Sequence, residues 1–380
     1  MKNFIKVLPV FVAFYCMGFV DIVGTAVNLV KEDMALNAAT MQFLAFMIFI
    51  WFGIFSIPTG ILQERIGKKK TVIISLLITT TAMLVPFVLY NYYVILISFT
   101  LIGIGNTVLQ VSLNPLLFDV SSKGSYASNM SFSQFIKSIA AFFGPLITVM
   151  IFAERLGDWK YIFLAYGSLS VLSMLWIAAT PIKETILKEK PASFAKCFSL
   201  LKNQFVFIMV FGIFIVVGLD VGMNTGIPGF LERYDLSADN AVKNISLYIF
   251  ALMGSRFLGA IILKKIKANS FLIVSALLTI LGLLLLFLSI NIIVAKTAIV
   301  IIGLGSANIF PLIFSIAVER MPDRSNEISG LMITAISGGA VFPFLMGVIT
   351  KNIGVKAGIL FLLFISLYLG VVGFWNLSKS

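Results

Sequence analysis

A window of about 19 residues moved along the chain crosses about twelve apolar stretches, each long enough to pass as a helix through the roughly 30 Å hydrocarbon core of a bilayer. They run at 5–30, 40–62, 71–89, 93–118, 129–152 and 161–180, then at 205–230, 241–263, 270–290, 294–318, 328–350 and 357–376. A bilayer core holds no water to satisfy backbone N–H and C=O groups, so stretches of this length must satisfy them internally, as helices do. With 60% hydrophobic and 12% charged residues, 380 residues could not hide their apolar surface from water. The expected fold is all-α and integral to the membrane. The first stretch has no small-residue cleavage site and continues as a full-length span, so it is expected to remain in the mature protein.

The formal charge of +12 could suggest a nucleic-acid surface, but the basic residues fall in short loops between spans. Arg65, Lys68, Lys69 and Lys70 share one side with the connector residues Lys183, Lys188, Lys190, Lys196 and Lys202 and with Lys264, Lys265 and Lys267. The opposite loops carry scattered charges such as Lys31, Arg155 and Arg233. Basic loops stay cytoplasmic, so both termini are expected there, and the charge is read as topology rather than as a nucleic-acid partner. The two cysteines, Cys16 and Cys197, read as isolated free thiols. Three regions follow: a six-helix bundle over 1–180, a polar lysine-rich linker over 181–204 and a second six-helix bundle over 205–380.

The two bundles repeat each other. Asp21 and Asp220 lie 199 residues apart, Gly60 and Gly259 199, Gly103 and Gly303 200, Asp119 and Glu319 200, and Pro145 and Pro343 198. One match would be chance, but several at one offset indicate parallel repeats related by an axis along the membrane normal, the plan of secondary transporters. In such a plan a substrate site is expected near mid-membrane, at the repeat interface.

Asp220 sits in the run Gly218-Leu219-Asp220-Val221-Gly222-Met223-Asn224-Thr225-Gly226, and Asp21 holds the matching place in the first span. Both are expected deep within their spans. An acid there costs at least about 2.5 to 3.5 kcal/mol to insert, so it is expected to serve a function, reversible protonation or Na⁺ ligation, unless it is a structural acid held by neighbouring helices. Lys137, about two turns inside its span, could pair with Asp21, stand in for a cation or snorkel to the interface. The amides of Gln110, Asn114, Gln134, Asn224 and Asn308 both donate and accept, which suits a polyhydroxylated ligand; the competing use is helix-to-helix hydrogen bonding. Gln110 and Asn114 share a helical face, which favours a common cavity.

The loop Gly60-Ile61-Leu62-Gln63-Glu64-Arg65-Ile66-Gly67-Lys68-Lys69-Lys70 resembles the signature of the major facilitator superfamily, with Glu64 where Asp is usual. Gln110-Val111-Ser112-Leu113-Asn114-Pro115, Gly218-Leu219-Asp220-Val221-Gly222, and the run Gly305-Ser306-Ala307-Asn308-Ile309-Phe310-Pro311 with Gly338-Gly339-Ala340-Val341-Phe342-Pro343 resemble the fucose permease and glucose/galactose transporter branch, bacterial sugar symporters. The resemblance implies the twelve-helix major facilitator fold, a bacterial inner-membrane location, a monomer, and import of a sugar with a cation. Where the branch carries a span-four acid this chain has Gln110, and Asp21 lies about one turn nearer the Gly18-Phe19 pair than the branch's span-one acid does. Gly60, Glu64, Arg65, Gly67, Asp119 and Glu319 are expected to act in gating, latching the cytoplasmic side closed, or else only to set topology.

There is no His, no cysteine cluster, no phosphate-binding Gly-x4-Gly-Lys-Ser/Thr loop and no Ser/His/Asp set, so no enzyme, metal site or cofactor is expected. The reading is a secondary transporter importing a neutral monosaccharide or polyol with H⁺ or Na⁺, in contact with membrane lipid. The alternatives are a proton-coupled exporter of drugs or amphipathic metabolites, an uncoupled sugar facilitator, or a receptor-like membrane protein in which both aspartates are dispensable.

Overall fold

The computed structural model describes residues 2–184, 193–234 and 244–377. Lys188, Lys190 and position 241, the expected start of the eighth span, lie outside the described residues. The helices are α1 (Lys2–Met17), α2 (Val23–Asp33), α3 (Ala38–Ile66), α4 (Lys68–Val88), α5 (Tyr92–Val120), α6 (Tyr126–Ile147), α7 (Tyr161–Ala179) and the short α8 (Phe194–Leu200) in the connector. After it come α9 (Gln204–Leu231), α10 (Ile245–Ile262), α11 (Ala268–Leu288), α12 (Ile292–Ser306), α13 (Ile309–Arg320), α14 (Ser325–Thr334), α15 (Gly338–Ile353) and α16 (Val355–Leu377). Among the described residues eleven helical stretches are long and apolar enough to cross a membrane, and twelve if the bent pair α1 and α2 forms one span.

Asparagines mark several of the starts. Asn37 accepts from Thr40 N at 2.8 Å, Asn91 from Val94 N at 3.1 Å, Asn203 from Phe205 N at 2.9 Å and Asn291 from Val294 N at 2.9 Å. Each satisfies one of the amide groups that a helix start leaves unpaired. Asn91 and Asn291 do so at matching places in the two repeats. Gly67, at φ 92°, turns the chain from α3 straight into α4.

Three expected spans are not continuous helices. The first passes through a 3-10 turn, Gly18–Ile22, and bends by 46°. The tenth breaks between α12 and α13 at Ala307 and Asn308, and the eleventh between α14 and α15 at the 3-10 turn Ala335–Ser337. Such breaks free backbone groups for a ligand or a side chain within the membrane.

The chain divides into two compact units. Unit 1 comprises Met1–Tyr126, Ile136–Phe198 and Pro322–Thr334; unit 2 comprises Ala127–Phe135, Ser199–Met321 and Ala335–Ser380. In unit 1, α5 packs on α3 and α4, α7 on α4, and α14 on α3 and α5. In unit 2, α11 packs on α12 and α16, and α9 on α15 and α16. The repeat extends to the packing itself: a Cβ added at Gly105 would lie 2.6 Å from Thr79 Oγ1, and one at Gly305 2.6 Å from Thr279 Oγ1.

Candidate functional site

In unit 2 the glycines of α9 decide where its acid points. A Cβ at Gly218 would come within 2.1 Å of Phe342, and one at Gly226 within 2.3 Å of Met346, so this glycine stripe is the face packed on α15. Asp220, two residues past Gly218 and therefore about 200° round the helix, lies on another face. There the Tyr248 hydroxyl of α10 donates to Asp220 Oδ1 at 2.7 Å, and Ser306 Oγ stands 3.3 Å from the same hydroxyl. Tyr248 is wholly buried, and Ser306 is the last residue of α12 before the break. Asn224 Nδ2 donates to the Asp220 carbonyl at 3.0 Å, one turn along the helix.

Arg256, two turns from Tyr248 on α10, directs Nε toward the Ala307 carbonyl at 3.3 Å, where the tenth span is interrupted. Asn308 lies at the same break and is fully buried, donating Nδ2 to Ser255 O at 2.8 Å and Ser255 Oγ at 3.1 Å. Its side chain fills the notch left by Gly259, where a Cβ would meet Asn308 Oδ1 at 2.5 Å. Asn308 therefore ties α10 to the break, while its Oδ1 is buried with no hydrogen-bond partner.

In unit 1 the close approach at Gly18 positions the other acid. A Cβ there would lie 2.7 Å from both Lys137 O and Ala140 Cβ, so glycine lets the end of α1 rest on α6. Asp21, in the turn that follows, then has Lys137 Nζ 3.7 Å from its Oδ2. That is an ion pair at longer than hydrogen-bonding distance. The Asp21 side chain is 36% exposed, so it borders open space instead of being enclosed by its span.

Gln110 Nε2 donates to Asn106 Oδ1 at 2.7 Å and Asn106 Nδ2 to Met17 O at 2.7 Å, a relay from α5 to the last residue of α1. Asn114 is buried; its carbonyl accepts from Tyr126 Oη at 3.0 Å, while its side-chain Oδ1 has no partner. Gln134 is buried on α6, one turn before Lys137.

At the basic-loop end of unit 1, Lys68 and Asp119 form an ion pair at 2.8 Å with side chains only 3% and 1% exposed. Glu184 caps the start of α4, its Oε2 accepting from Lys68 N at 2.5 Å and its Oε1 from Lys69 N at 3.2 Å. Lys69 Nζ donates to Ala178 O and Thr180 O at the end of α7, both at 2.8 Å. Gly60 lets α3 and α14 touch: a Cβ there would sit 2.9 Å from Asn326 O and 3.5 Å from Gly330 Cα. Ser329 Oγ donates to Val111 O at 2.6 Å across the α14–α5 contact. Glu64 is half-buried, Arg65 exposed, and Glu319 lies exposed near the end of α13.

Sequence reasoning passed over Tyr248, Ser306, Asn106 and Glu184, none of which carries a mark of its own in an apolar or lysine-rich run. Arg256 did carry one, because it is the one charge deep inside the apolar stretch 241–263, whose other charge, Lys243, stands at its edge, and depth within a span is the criterion that picks out Asp220. Among the described residues no group of three or more His, Cys, Asp or Glu side chains could hold a metal ion.

The profile of the Major Facilitator Superfamily matches residues 10–343. The chain is 24% identical over 388 residues to a glucose/galactose transporter of Brucella abortus biovar 1, covering 97% of this chain and 92% of that one. It is 27% identical over 360 residues to a putative glucose/galactose transporter of Helicobacter pylori strain J99, covering 89% and 87%. Among solved structures it is similar to FucP, a Major Facilitator Superfamily transporter in the outward conformation, with a TM-score of 0.85, 17% identity and 99% of each chain covered. It is also similar to the proton:xylose symporter XylE, with a TM-score of 0.75, 12% identity and coverage of 98% and 95%.

Proposed function

The chain belongs to the Major Facilitator Superfamily, and from that premise we propose that it is a secondary transporter importing a neutral monosaccharide or related polyol together with H⁺ or Na⁺ by alternating access. The observation that carries this reading is Asp220 held at 2.7 Å by the Tyr248 hydroxyl beside the broken tenth span. A carboxylate at membrane depth with a positioned donor can take up and release a small cation, and the freed backbone of a broken span adds polar ligands at the same depth. The glucose/galactose transporters among its relatives support a sugar as the cargo.

In this reading Asp220 and Asp21 are the coupling-ion residues, with Lys137 moderating Asp21. Gln110, Asn114, Asn224, Gln134 and Asn308 meet sugar hydroxyls, each of which donates and accepts. Gly60, Glu64, Arg65, Gly67, Asp119 and Glu319 belong to the gate on the basic-loop side, where the Lys68–Asp119 pair and the Gly60–Gly330 approach hold unit 1 closed. The protein works as a monomer in the bacterial inner membrane, with both termini in the cytoplasm and no cofactor.

The test is uptake of a radiolabelled monosaccharide panel into proteoliposomes under an imposed proton gradient, a sodium gradient or neither. Accumulation driven by one gradient and lost in Asp220→Asn is the expected result. Equilibration without accumulation would turn the reading to a facilitator, and no uptake of any sugar would overturn import.

A further inference from the structure

Packing alone does not hold α2, the half of the first span beyond its 3-10 turn. It buries Ala26, Val27 and Val30, yet a cavity of about 20 Å³ lies behind it, with Phe19, Ala26, Phe99, Ile102 and Tyr166 in its walls. Side chains that border a void forfeit the contacts a filled space would give them. The firm attachment of α2 is at its far end.

There Asp33, the last residue of α2, accepts two hydrogen bonds on one oxygen. Tyr90 Oη donates to its Oδ2 at 2.8 Å and Trp159 Nε1 donates at 2.9 Å. Tyr90 lies between α4 and α5 and Trp159 between α6 and α7, so one carboxylate straps α2 to two turns of unit 1. Asp33 is exposed, but Trp159 is only 6% exposed, and a buried N–H left unpaired is costly. Both donors are fixed in turn. Trp159 packs on Phe163 with ring centroids 5.4 Å apart, and Lys160 Nζ lies 4.7 Å over the Tyr90 ring and 3.3 Å from Asp158 Oδ2. Burial, then the adjoining Asp33 carboxylate, push the Tyr90 phenol up, so it remains a donor across the physiological range. Local structure does not account for the acid, because a carboxylate in the last turn of a helix opposes the helix dipole.

The second repeat makes the same connection with different residues. Just past α9, Tyr234 Oη donates to Ser289 O at 3.0 Å and lies 2.7 Å from Ser289 Oγ. Ser289 stands 199 residues after Tyr90, and Tyr234 201 after Asp33. In each unit the end of the acid-bearing span is tied to the end of the third span of that unit. The consequence differs between them. α9 runs unbroken over Gln204–Leu231, so its tie bears on the whole helix, whereas the turn Gly18–Ile22 limits the first tie to α2 and the residues leading into it.

Asp21 stands in that turn, two residues before α2 begins. Gly18 resting on α6 fixes one side of the turn, and the strap at Asp33 fixes the other through a helix about 16 Å long. The contact with Lys137, at 3.7 Å, is too long to hold the acid by itself. We propose that Asp33 is a positioning residue for Asp21: its strap on Tyr90 and Trp159 sets the direction of α2, and through it the placement of Asp21 beside Lys137. The use made of that placement rests on the coupling reading of Asp21 given above, while the strap itself does not.

The experiment is amide hydrogen exchange of the full chain in detergent, read over 23–33. It is paired with crosslinking of Asp21→Cys to Lys137→Cys by a short bismaleimide in a background lacking Cys16 and Cys197. Asp33→Ala, and Tyr90→Phe combined with Trp159→Phe, should each speed exchange over 23–33 at least roughly tenfold and slow crosslinking roughly fivefold. Asp33→Asn keeps an acceptor oxygen and should stay nearer the parent in both. Ala26→Val fills space behind α2 and should slow exchange instead. Tyr234→Phe, which frees only the tie of α9, should leave both readouts unchanged. Unchanged exchange in both Asp33→Ala and the Tyr90→Phe, Trp159→Phe double variant would overturn the strap. Faster exchange with unchanged crosslinking would overturn the positioning role. In uptake, Asp33→Ala should raise the half-saturating concentration of the coupling cation roughly fivefold, keep the maximal rate within about twofold, and add nothing to Asp21→Asn. Uptake that needs no cation in the parent would overturn the coupling reading of Asp21 and leave the exchange and crosslinking results standing, so the two failures are distinguishable.

Discussion

The Tyr248 hydroxyl donates to Asp220 Oδ1 at 2.7 Å while lying 3.3 Å from Ser306 Oγ, so one buried phenol joins the acid of α9 to the broken tenth span. Replacing Tyr248 by Phe keeps the ring and removes the donor. The carboxylate then loses a charge-assisted hydrogen bond, and gradient-driven uptake should fall roughly tenfold. Asp220→Asn should abolish accumulation while leaving exchange of sugar across the membrane. Initial uptake rates and steady-state accumulation, measured together, separate the two effects. Full accumulation in Asp220→Asn would remove Asp220 from coupling.

Asp21 and Lys137 sit 3.7 Å apart with both side chains partly exposed, so their coupling should be modest. Asp21→Asn leaves the lysine without its partner, and Lys137→Met leaves the acid. Uptake by the two single variants should fall further than their combination accounts for, with a coupling of roughly 0.5 kcal/mol or more in the double-mutant cycle. Strict additivity would mean the contact carries no energy and Lys137 serves something other than Asp21.

The sequence is most informative where one residue breaks a uniform background. Asp220 announces itself as a lone charge in an apolar run, and the offset of about 200 residues locates its counterpart. Tyr248 cannot be found that way, because a tyrosine in an apolar helix is unremarkable until the fold brings its hydroxyl to an acid 28 residues away. The break after Ser306 is hidden for a different reason. Ala307 and Asn308 are ordinary helix residues, and the carbonyl of Ala307 is met by Arg256 from another helix.

Gly60 allows α3 and α14 to approach within a distance that no side chain tolerates. In Gly60→Val the new Cβ would lie 2.9 Å from Asn326 O, so the helices must part. Ser329 is fully buried at this contact and bonded to Val111 O. A reporter cysteine at Ser329, in a background lacking Cys16 and Cys197, should react with an impermeant maleimide at least roughly tenfold faster when Gly60→Val is added. Equal rates would mean that the Gly60–Gly330 approach does not close this side.

Cys197 of α8 is pushed up to about 11 by burial, then by the nearby charges of Glu327 and Glu64. The thiolate is the reactive form, so maleimide labelling should be slow near neutral pH and climb roughly tenfold per pH unit until about that value. Glu327→Gln removes a negative charge that opposes ionisation. It should therefore move the labelling profile toward lower pH, and a profile that stays in place would show that the Glu327 charge does not act on the thiol.

The Lys68–Asp119 pair is the most enclosed ion pair described, and its two possible uses make opposite predictions. Removing one partner leaves a buried charge uncompensated, so Asp119→Asn should cost roughly 3 to 5 kcal/mol and lower the unfolding midpoint in detergent. Replacing both, as in Lys68→Met with Asp119→Leu, removes the desolvation penalty along with the attraction and should restore much of that stability. If the pair is a latch, the restored double variant should still label the Ser329→Cys reporter faster than the parent, because the charge that held α4 to α5 is gone while the fold is intact. If the pair only sets topology or packing, the double variant should label at the parental rate. Stability and accessibility measured on the same three proteins therefore distinguish a gate from a scaffold.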